Sequence, residues 1–490
     1  MRPRVAFAAV VAVLAVSVGV VEAYNPSATT PTSGPRPVSA SLIGARLVCP
    51  DVVERKVGDV SRITRLGVAA SASAKGVGTV TASTLRPKGP TAPLLASTGR
   101  ARVVGAPAYQ GDVVIDATGK LAPGLAADEL GRRDAGPYRG LDGVACTAPR
   151  DSAWLIGAST AVGAHAELRL TNTDDVAALV DIAMFGTGGV VNAHNAVGLA
   201  VGPRSTRIIP LETLAPAQDV LMLNVRARSG RIAVALRQQA QSASTPRGMD
   251  WLPLAQPPAR TTLVPGLTAA TGPRRILLGN PGDIDATASI RLVRADSSFV
   301  PRGLSAVTVP AGSAVSVDIT NAVAAKAAAA LVTADRGIVT GALMSTGPRV
   351  NGYAERAFSA STPALTGPTS VVVNYVRSRS SELLLTAPSR TANVQVSTLG
   401  GVGPGAGFHA NVRIPAGRSV SYDLAAIGHG SLLVAVTVRP NAGSGPVYAA
   451  RAEVELGAHG PMFTVLPLVT APQVAVLPPA AIDLRTGLPR

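Results

Sequence analysis

With 490 residues, the chain is too long for one ordinary hydrophobic core, and three or four domains are expected. Hydrophobic residues make up 47% of it, which argues against a disordered chain, and short Val-rich segments between Gly, Pro, Asn and Ser clusters predict strands and turns. The formal net charge of +16 favours an anionic partner, but scattered arginines and 3% aromatic residues argue against nucleic acid. Because arginine far outnumbers lysine, we interpret the charge first as the bias of a GC-rich coding sequence and second as weak affinity for an acidic polymer or lipid.

The N-terminus has the pattern of an export signal. Arg2 and Arg4 precede an apolar run, Val5–Val21, and the small residue Ala23 suits cleavage by a signal peptidase. The run is long for a signal peptide and short for a spanning helix, which needs about 20 residues. Residues 1–23 are therefore predicted to be a signal peptide or an uncleaved membrane anchor, and residues 24–39 a flexible spacer. Both alternatives place the chain from Tyr24 onward outside the cytoplasm, either secreted or anchored to the outer face of the cytoplasmic membrane.

The chain has two cysteines, Cys49 and Cys146. In an oxidising compartment an even pair predicts one disulfide, whereas two metal-binding thiols would need the closer spacing of a zinc site. The bond would close the first folded unit, predicted at residues 40–150 as a β-rich domain. Closing a loop of this length restricts the unfolded chain by about 4 to 5 kcal/mol on the entropy model.

Three copies of one pattern fill most of the remaining chain. They open with the apolar strands Leu168–Asn172, Ile276–Asn280 and Leu383–Ala387, and each closes with two strands around a Gly-bearing turn. Several short strands per copy are typical of β-sandwiches, and copies of this length indicate a tandem domain array rather than a solenoid. We expect an all-β rod of Ig-like β-sandwich domains at residues 151–268, 269–368 and 369–480, followed by a tail at 481–490.

No set of residues has catalytic spacing. No GxSxG or SxxK motif frames a serine, and the glycines of Gly401–Ala406 favour a hairpin loop over a dinucleotide site because no helix is predicted after them. Asp174, Asp175, Asp283 and Asp285 occupy equivalent turns and are assigned to turn chemistry rather than to calcium. The histidines lie apart, without an HExxH motif, at His165, His194, His409, His429 and His459. We predict no catalytic residue, no cofactor and no metal site.

Residues around the second cysteine resemble a known family. Cys146-x-x-Pro149, Trp154 and Gly157 precede the first repeat, and Gly248-Met-Asp-Trp-Leu-Pro253 follows it. This pattern is similar to the secreted domain-of-unknown-function family of high-GC Gram-positive bacteria that is numbered fifty-seven nineteen. The resemblance implies export, an envelope setting and no assigned activity, and it supplies no catalytic residues.

The two tryptophans, Trp154 and Trp251, are predicted to be structural anchors. Trp154, close in sequence to Cys146, is expected at the junction between the first unit and the first repeat. The alternative is that either ring is a sugar-stacking platform.

These observations favour a non-enzymatic, exported cell-envelope protein that acts as a structural or interaction scaffold. The expected partner is another envelope protein or an anionic cell-wall polymer. The alternative is a glycan-binding or glycan-modifying module of cell-wall assembly, which the low aromatic content argues against. A third hypothesis is a lipid-associated factor held by a single N-terminal anchor.

Overall fold

The computed structural model describes residues 38–51, 63–70, 76–85, 91–105, 111–133, 136, 138–243, 245–269, 272–324, 326–347, 353–373, 379–399, 407–427 and 435–477. The predicted signal or anchor segment, most of the spacer, the loop at 401–406, His429 and the tail at 481–490 lie outside the described residues. Across the described ranges the chain is almost entirely antiparallel β-structure, so the predicted all-β fold is confirmed. No helix within these ranges is long and apolar enough to cross a membrane.

Two short strands form a unit of their own. Strand β1 (Val38–Ser41) pairs antiparallel with β35 (Val474–Leu477). The second unit, Leu42–Gln473, contains the other described strands, which form four β-sandwiches in chain order.

The first sandwich lies in the predicted N-terminal β-rich unit. Its strands are β2 (Gly44–Cys49), β3 (Ile63–Ala70), β4 (Val77–Thr84), β5 (Thr91–Ser97), β6 (Arg100–Gly105), β7 (Val113–Thr118), β8 (Ala126–Arg133) and β9 (Gly140–Ala145). They form two sheets with the orders β2-β7-β4-β5 and β6-β3-β8-β9. A short 3-10 helix, Gly119–Leu121, follows β7.

The second sandwich has the same plan. Its strands are β10 (Ser152–Ala158), β11 (Ala164–Asn172), β12 (Ala178–Gly186), β13 (Gly189–Val191), β14 (Leu199–Val201), β15 (Ser205–Pro210), β16 (Leu221–Ser229), β17 (Ala233–Ser242) and β18 (Thr245–Leu252). The sheet orders are β10-β16-β12-β13, with β14 beside β12, and β15-β11-β17-β18. Short 3-10 helices occupy His194–Ala196 and Leu211–Thr213.

In the third sandwich one long strand belongs to both sheets. The strands are β19 (Ala259–Leu267), β20 (Arg274–Asn280), β21 (Ala286–Arg294), β22 (Ser298–Phe299), β23 (Val307–Val309), β24 (Ser313–Asp318), β25 (Ala328–Ser345) and β26 (Arg356–Ala360), with helix α1 at Thr320–Val323. The first half of β25 pairs with β19 and β21, and its second half pairs with β20 and β26. The sequence predicts the boundary of this domain after residue 268, whereas the pairing of β19 with β25 places residues 259–267 in the third sandwich.

The fourth sandwich repeats the plan again. Its strands are β27 (Thr369–Val372), β28 (Arg379–Ala387), β29 (Ala392–Thr398), β30 (His409–Ile414), β31 (Arg418–Asp423), β32 (Ala435–Pro440), β33 (Tyr448–Gly457) and β34 (Gly460–Pro467), with helix α2 at Leu424–Ile427. The sheet orders are β27-β32-β29-β30 and β31-β28-β33-β34. Since the first sandwich shares this strand order, the plan occurs four times, although the sequence pattern reveals only three copies.

The burial of the strands shows how the sandwiches pack. Strands β12, β21 and β29 alternate between buried and less buried positions, as expected for a strand with one face on a core. By contrast, β11, β20 and β28 are buried at nearly every position. Their outer faces are covered by the preceding sandwich: Leu277 of β20 packs with Ile156 and Met222, and Leu384 of β28 packs with the core of the third sandwich.

The first and fourth sandwiches pack against each other in the same way. The outer face of β3, in the first sandwich, packs against the fourth sandwich through Ala69, Val372 and Ala435. A Cβ atom on Gly67 would lie 2.3 Å from the Val372 side chain, so a larger residue at position 67 would separate the two sandwiches. The expected rod is therefore wrong, because the first and fourth sandwiches are in contact and the second unit is a closed ring.

Candidate functional site: the polar junction of the sandwiches

The last strand of each sandwich lies at the centre of the ring. Strand β9 contacts β18, β18 contacts β26, β26 contacts β34, and β34 contacts β9. Charged and polar side chains of these closing strands are buried there, and since unpaired buried charges are costly, their partners define the chemistry of the junction.

Asp250 of β18 connects three sandwiches. Its carboxylate accepts hydrogen bonds from the backbone N–H of Gly143 at 3.0 Å, from the N–H of Trp251 at 2.9 Å and from the hydroxyl of Thr464 at 2.9 Å. Gly143 belongs to the first sandwich and Thr464 to the fourth. Asp142, beside Gly143, accepts a hydrogen bond from the indole Nε1 of Trp251 at 3.2 Å.

The third sandwich contributes Glu355, which is fully buried just before β26. Its Oε1 accepts a hydrogen bond from the N–H of Arg356 at 3.1 Å, and its Oε2 lies 4.0 Å from Nη1 of Arg139. Arg139 donates to the carbonyl of Gly460 at 3.0 Å and lies 5.6 Å from the ring centroid of Tyr353. Carboxyl groups from three sandwiches, Asp142, Asp250 and Glu355, therefore lie in this junction, with Arg139 beside Glu355 and Arg237 over the Trp251 ring.

Burial and the neighbouring carboxyl groups raise the pKa values of two of these residues. Burial raises the pKa of Asp250 well above its ordinary value, and nearby Asp142 raises it further, against the hydrogen bonds from Gly143, Trp251 and Thr464. Burial likewise raises the pKa of Glu355 well above its ordinary value, against the bond from Arg356 and the charge of Arg139, while Asp250 adds to the rise. The two carboxyl groups disfavour each other's ionised form.

The fourth and first sandwiches meet through a balanced ionic cluster. Glu455 accepts hydrogen bonds from Arg132 and, at 2.9 Å, from Arg379. Arg451 donates to Asp128 at 3.1 Å and lies 3.2 Å from Glu453, whose carboxylate also accepts from the hydroxyl of Ser381 at 2.7 Å. Burial alone would lower the pKa of Arg451, but Asp128 and Glu453 outweigh it and raise the pKa, so the guanidinium stays charged.

A second ionic cluster joins the first and second sandwiches. The buried carboxylate of Asp112 accepts a hydrogen bond from the hydroxyl of Thr171 at 2.6 Å and a weaker one, at 3.3 Å, from Arg169. Arg169 also donates to Glu167 at 2.8 Å, and Glu167 accepts from Arg237 at 3.1 Å. Each charge in this cluster faces an opposite charge.

The predicted site residues fall into two groups. Cys49 and Cys146 form the expected disulfide, with an S–S distance of 1.99 Å, and are buried in the first sandwich. Trp251 lies at the junction with the first sandwich, packed with Val144, and its burial leaves no face for a sugar. Trp154 instead stacks on Phe185, with centroids 6.4 Å apart, beside the apolar junction between the second and third sandwiches. The junction between the first and second sandwiches, where Trp154 was expected, is therefore occupied by Trp251 instead.

The turns that hold the predicted aspartates have hydrogen bonds of two kinds. Asn172 accepts a hydrogen bond from the N–H of Asp174 at 3.0 Å, and Asn280 accepts one from Gly282 at the same distance. Asp175 lies 3.8 Å from Arg204, and Asp285 accepts from the N–H of Ala311 at 2.9 Å. The local turn bonds at these positions are accepted by Asn172 and Asn280, whereas Asp175 and Asp285 contact residues farther along the chain.

The histidines remain apart in the fold. His165 lies 3.0 Å from Glu212, and His459 stacks on Tyr353, while His194 and His409 are exposed. In the part of the chain that the structure describes, no three His, Cys, Asp or Glu side chains are placed to share a metal ion.

Sequence reasoning missed the polar junction itself. One signal was present: in β33, Arg451, Glu453 and Glu455 alternate with the small residues Ala450 and Ala452. Charges at period two in a strand place all of them on one face. Such a face is either buried against charged partners or exposed to solvent, and the sequence alone does not distinguish these two cases.

Comparison with known proteins identifies the chain at the level of its family. A model of a family of unknown function, DUF5719, matches residues 96–407, more than half of the chain. The protein belongs to this family. The match includes the motif around Cys146 and the segment ending at Pro253, on which the resemblance depended. No curated protein matches the chain.

Proposed function

We propose that this protein is a non-enzymatic, exported cell-envelope protein that acts as a structural or interaction scaffold, binding another envelope protein or an anionic cell-wall polymer. The main support is the way the four sandwiches are joined. The charges buried at the junctions between the fourth and first and between the first and second sandwiches are paired with one another. A ring joined on every side presents fixed surfaces to a partner, which reduces the ordering that binding requires.

The disulfide supports a location outside the cytoplasm. Bonds of this kind persist in oxidising compartments and are rare where glutathione keeps thiols reduced. Cys49 and Cys146 are buried and bonded, and the sequence ahead of them has the pattern of an export signal.

The test is a crosslinked pull-down from intact envelopes with the full-length protein as bait. It is run beside binding of purified wall polymer and of lipid vesicles at low and high salt. We expect a specific protein partner that is retained at high salt. Binding to anionic polymer alone, lost as salt rises, would mean that the net charge is the active feature and would reject a protein-binding scaffold.

A second bait separates recognition of the assembled ring from recognition of one sandwich. Asp112→Ala removes a buried carboxylate between the first and second sandwiches and replaces no exposed side chain. A partner that contacts both sandwiches should be retained less well by this bait, whereas non-specific adhesion should not change.

A further inference from the structure

Three arginines approach one another where the second and third sandwiches meet. Arg247 lies on β18, and Arg356 begins β26. The two strands are in close contact, because a Cβ atom on Gly248 would lie 2.4 Å from the backbone nitrogen of Arg356. The N–H of Ala354 also points to the carbonyl of Pro246, at 3.4 Å.

Arg275 reaches the same place from β20. Strand β25 lies between β20 and β26, with Leu343 opposite Arg275 and Ser345 opposite Arg356. Leu343 and Ser345 are two residues apart, so they and the residues opposite them point to one face of the sheet. The second sandwich covers this face at Leu343, which packs with its core, whereas Arg275 is exposed.

Arg247 and Arg356 are half-buried and Arg275 is exposed, and the three lack the carboxylate partners of the buried arginines at the other junctions. Among the residues that the structure describes, no carboxylate forms an ion pair with Arg247, Arg275 or Arg356, and their guanidinium groups make no hydrogen bond. Burial lowers the pKa of Arg356, and the charges of Arg275 and Arg247 lower it further. Asp318, opposite Arg275 on β24, has its pKa lowered mainly by hydrogen bonds from Thr320 and less by the charge of Arg275.

We propose that Arg247, Arg275 and Arg356 form a binding site for a tetrahedral dianion of the phosphate class. Asp318 lies near Arg275 without forming an ion pair with it, so the cluster keeps a net positive charge for the ligand. Guanidinium groups donate two parallel hydrogen bonds to phosphate or carboxylate oxygens, and a dianion satisfies more than one such fork at once. The ligand would supply the counter-charge that the ionic clusters elsewhere in the ring obtain from Asp and Glu.

The site is tested by calorimetric titration of the full-length protein with inorganic phosphate, with ionic strength held constant by sodium chloride. We expect saturable binding, reproduced by sulfate and absent with acetate. Arg356→Gln and Arg247→Gln should each weaken phosphate binding at least tenfold. Arg260→Gln is the matched control, because it removes an exposed arginine outside the cluster and should leave binding unchanged.

Two further ligands identify the source of the phosphate. Glycerol 3-phosphate carries a monoester dianion, and glycerophosphocholine carries a diester with a single negative charge. Binding of the monoester at least as tight as that of free phosphate would assign the site to a phosphate group on a larger molecule, and binding of inorganic phosphate alone would assign it to the free ion. Equal binding of the diester would overturn the requirement for a dianion.

The proposal is overturned if phosphate does not bind, or if Arg260→Gln weakens binding as much as the cluster variants do. Circular dichroism of each variant shows whether it is folded, and the two single variants give independent results if one of them does not fold. The site does not depend on the scaffold role, because purified protein and phosphate test it without any envelope partner.

Discussion

Replacing Asp250 by Asn tests whether the centre of the ring holds a protonated carboxyl group. The amide keeps the size of the side chain, and its oxygen can still accept the hydrogen bonds from Gly143 and Trp251. Its nitrogen takes the place of the oxygen that accepts from Thr464 and can donate to that hydroxyl instead. The change therefore removes a titrating proton and little else.

The sign of the pH effect follows from the raised pKa. In the unfolded chain Asp250 ionises near its ordinary pKa of 3.8, whereas in the fold burial keeps the proton bound to higher pH. Between these two pKa values the folded state holds one more proton than the unfolded state, so stability falls as pH rises, by about 1.4 kcal/mol per pH unit. The Asn side chain has no proton to lose. Relative to the wild type, the free energy of unfolding of the Asp250→Asn variant should therefore be constant below the ordinary pKa of Asp250 and should increase steadily above it.

The assay is urea denaturation of both proteins at a series of pH values from 4 to 7, at constant ionic strength. The control is Asp219→Asn, which replaces an exposed carboxylate without a partner among the described residues. Its free energy of unfolding should differ from that of the wild type by the same amount at every pH. If the advantage of Asp250→Asn is constant or shrinks as pH rises, the carboxylate is ionised in the fold and its three hydrogen-bond donors outweigh burial.

Three other changes probe the junctions and the disulfide. Reduction of the bond between Cys49 and Cys146, which are 97 residues apart, should lower the free energy of unfolding by about 4 kcal/mol, measured by denaturation with and without reductant. Asp112→Ala leaves Arg169 with one carboxylate and should cost about 3 to 5 kcal/mol, and a melting temperature equal to that of the wild type would contradict the ionic junction. In Gly279→Ala the new methyl group would lie 2.3 Å from the sulfur of Met222, so we expect it to cost about 1 to 3 kcal/mol in the wild type and less when it is introduced into Met222→Ala; an equal cost in both backgrounds would refute the contact.

The sequence was sufficient for features that depend on neighbouring residues. Short apolar segments between turn residues predict strands, and the described ranges are mainly antiparallel strands. The disulfide followed from an even number of cysteines and an export signal. The Asn residues that end two opening strands, Asn172 and Asn280, play the same part in the fold, each donating to the carbonyl of a residue four positions later at 2.8 Å.

Features that depend on distant residues were not predictable from pattern. The ion pair between Arg132 and Glu455 joins residues 323 positions apart, and neither position differs locally from a charged residue on an exposed strand. The first sandwich was not recognised as a copy of the repeat for a related reason. Its opening strand, β3, has glycine and alanine at positions 67 and 69, because Val372 and its neighbours pack directly against that face, so the apolar motif of the other copies is absent.

The two kinds of junction have different physical roles. Replacing a buried ion pair by well-packed apolar residues is often neutral or stabilising, so the pairs of Arg451 and Glu455 add little net stability. Leaving one member unpaired costs several kcal/mol, which penalises every arrangement in which the first and fourth sandwiches meet in another register. Burial of apolar surface, as at Met222 against Leu277 and at Leu384 against the third sandwich, supplies about 25 cal/mol for each Å² removed from water. The apolar junctions therefore hold the ring together, and the ionic ones determine which faces meet when it closes.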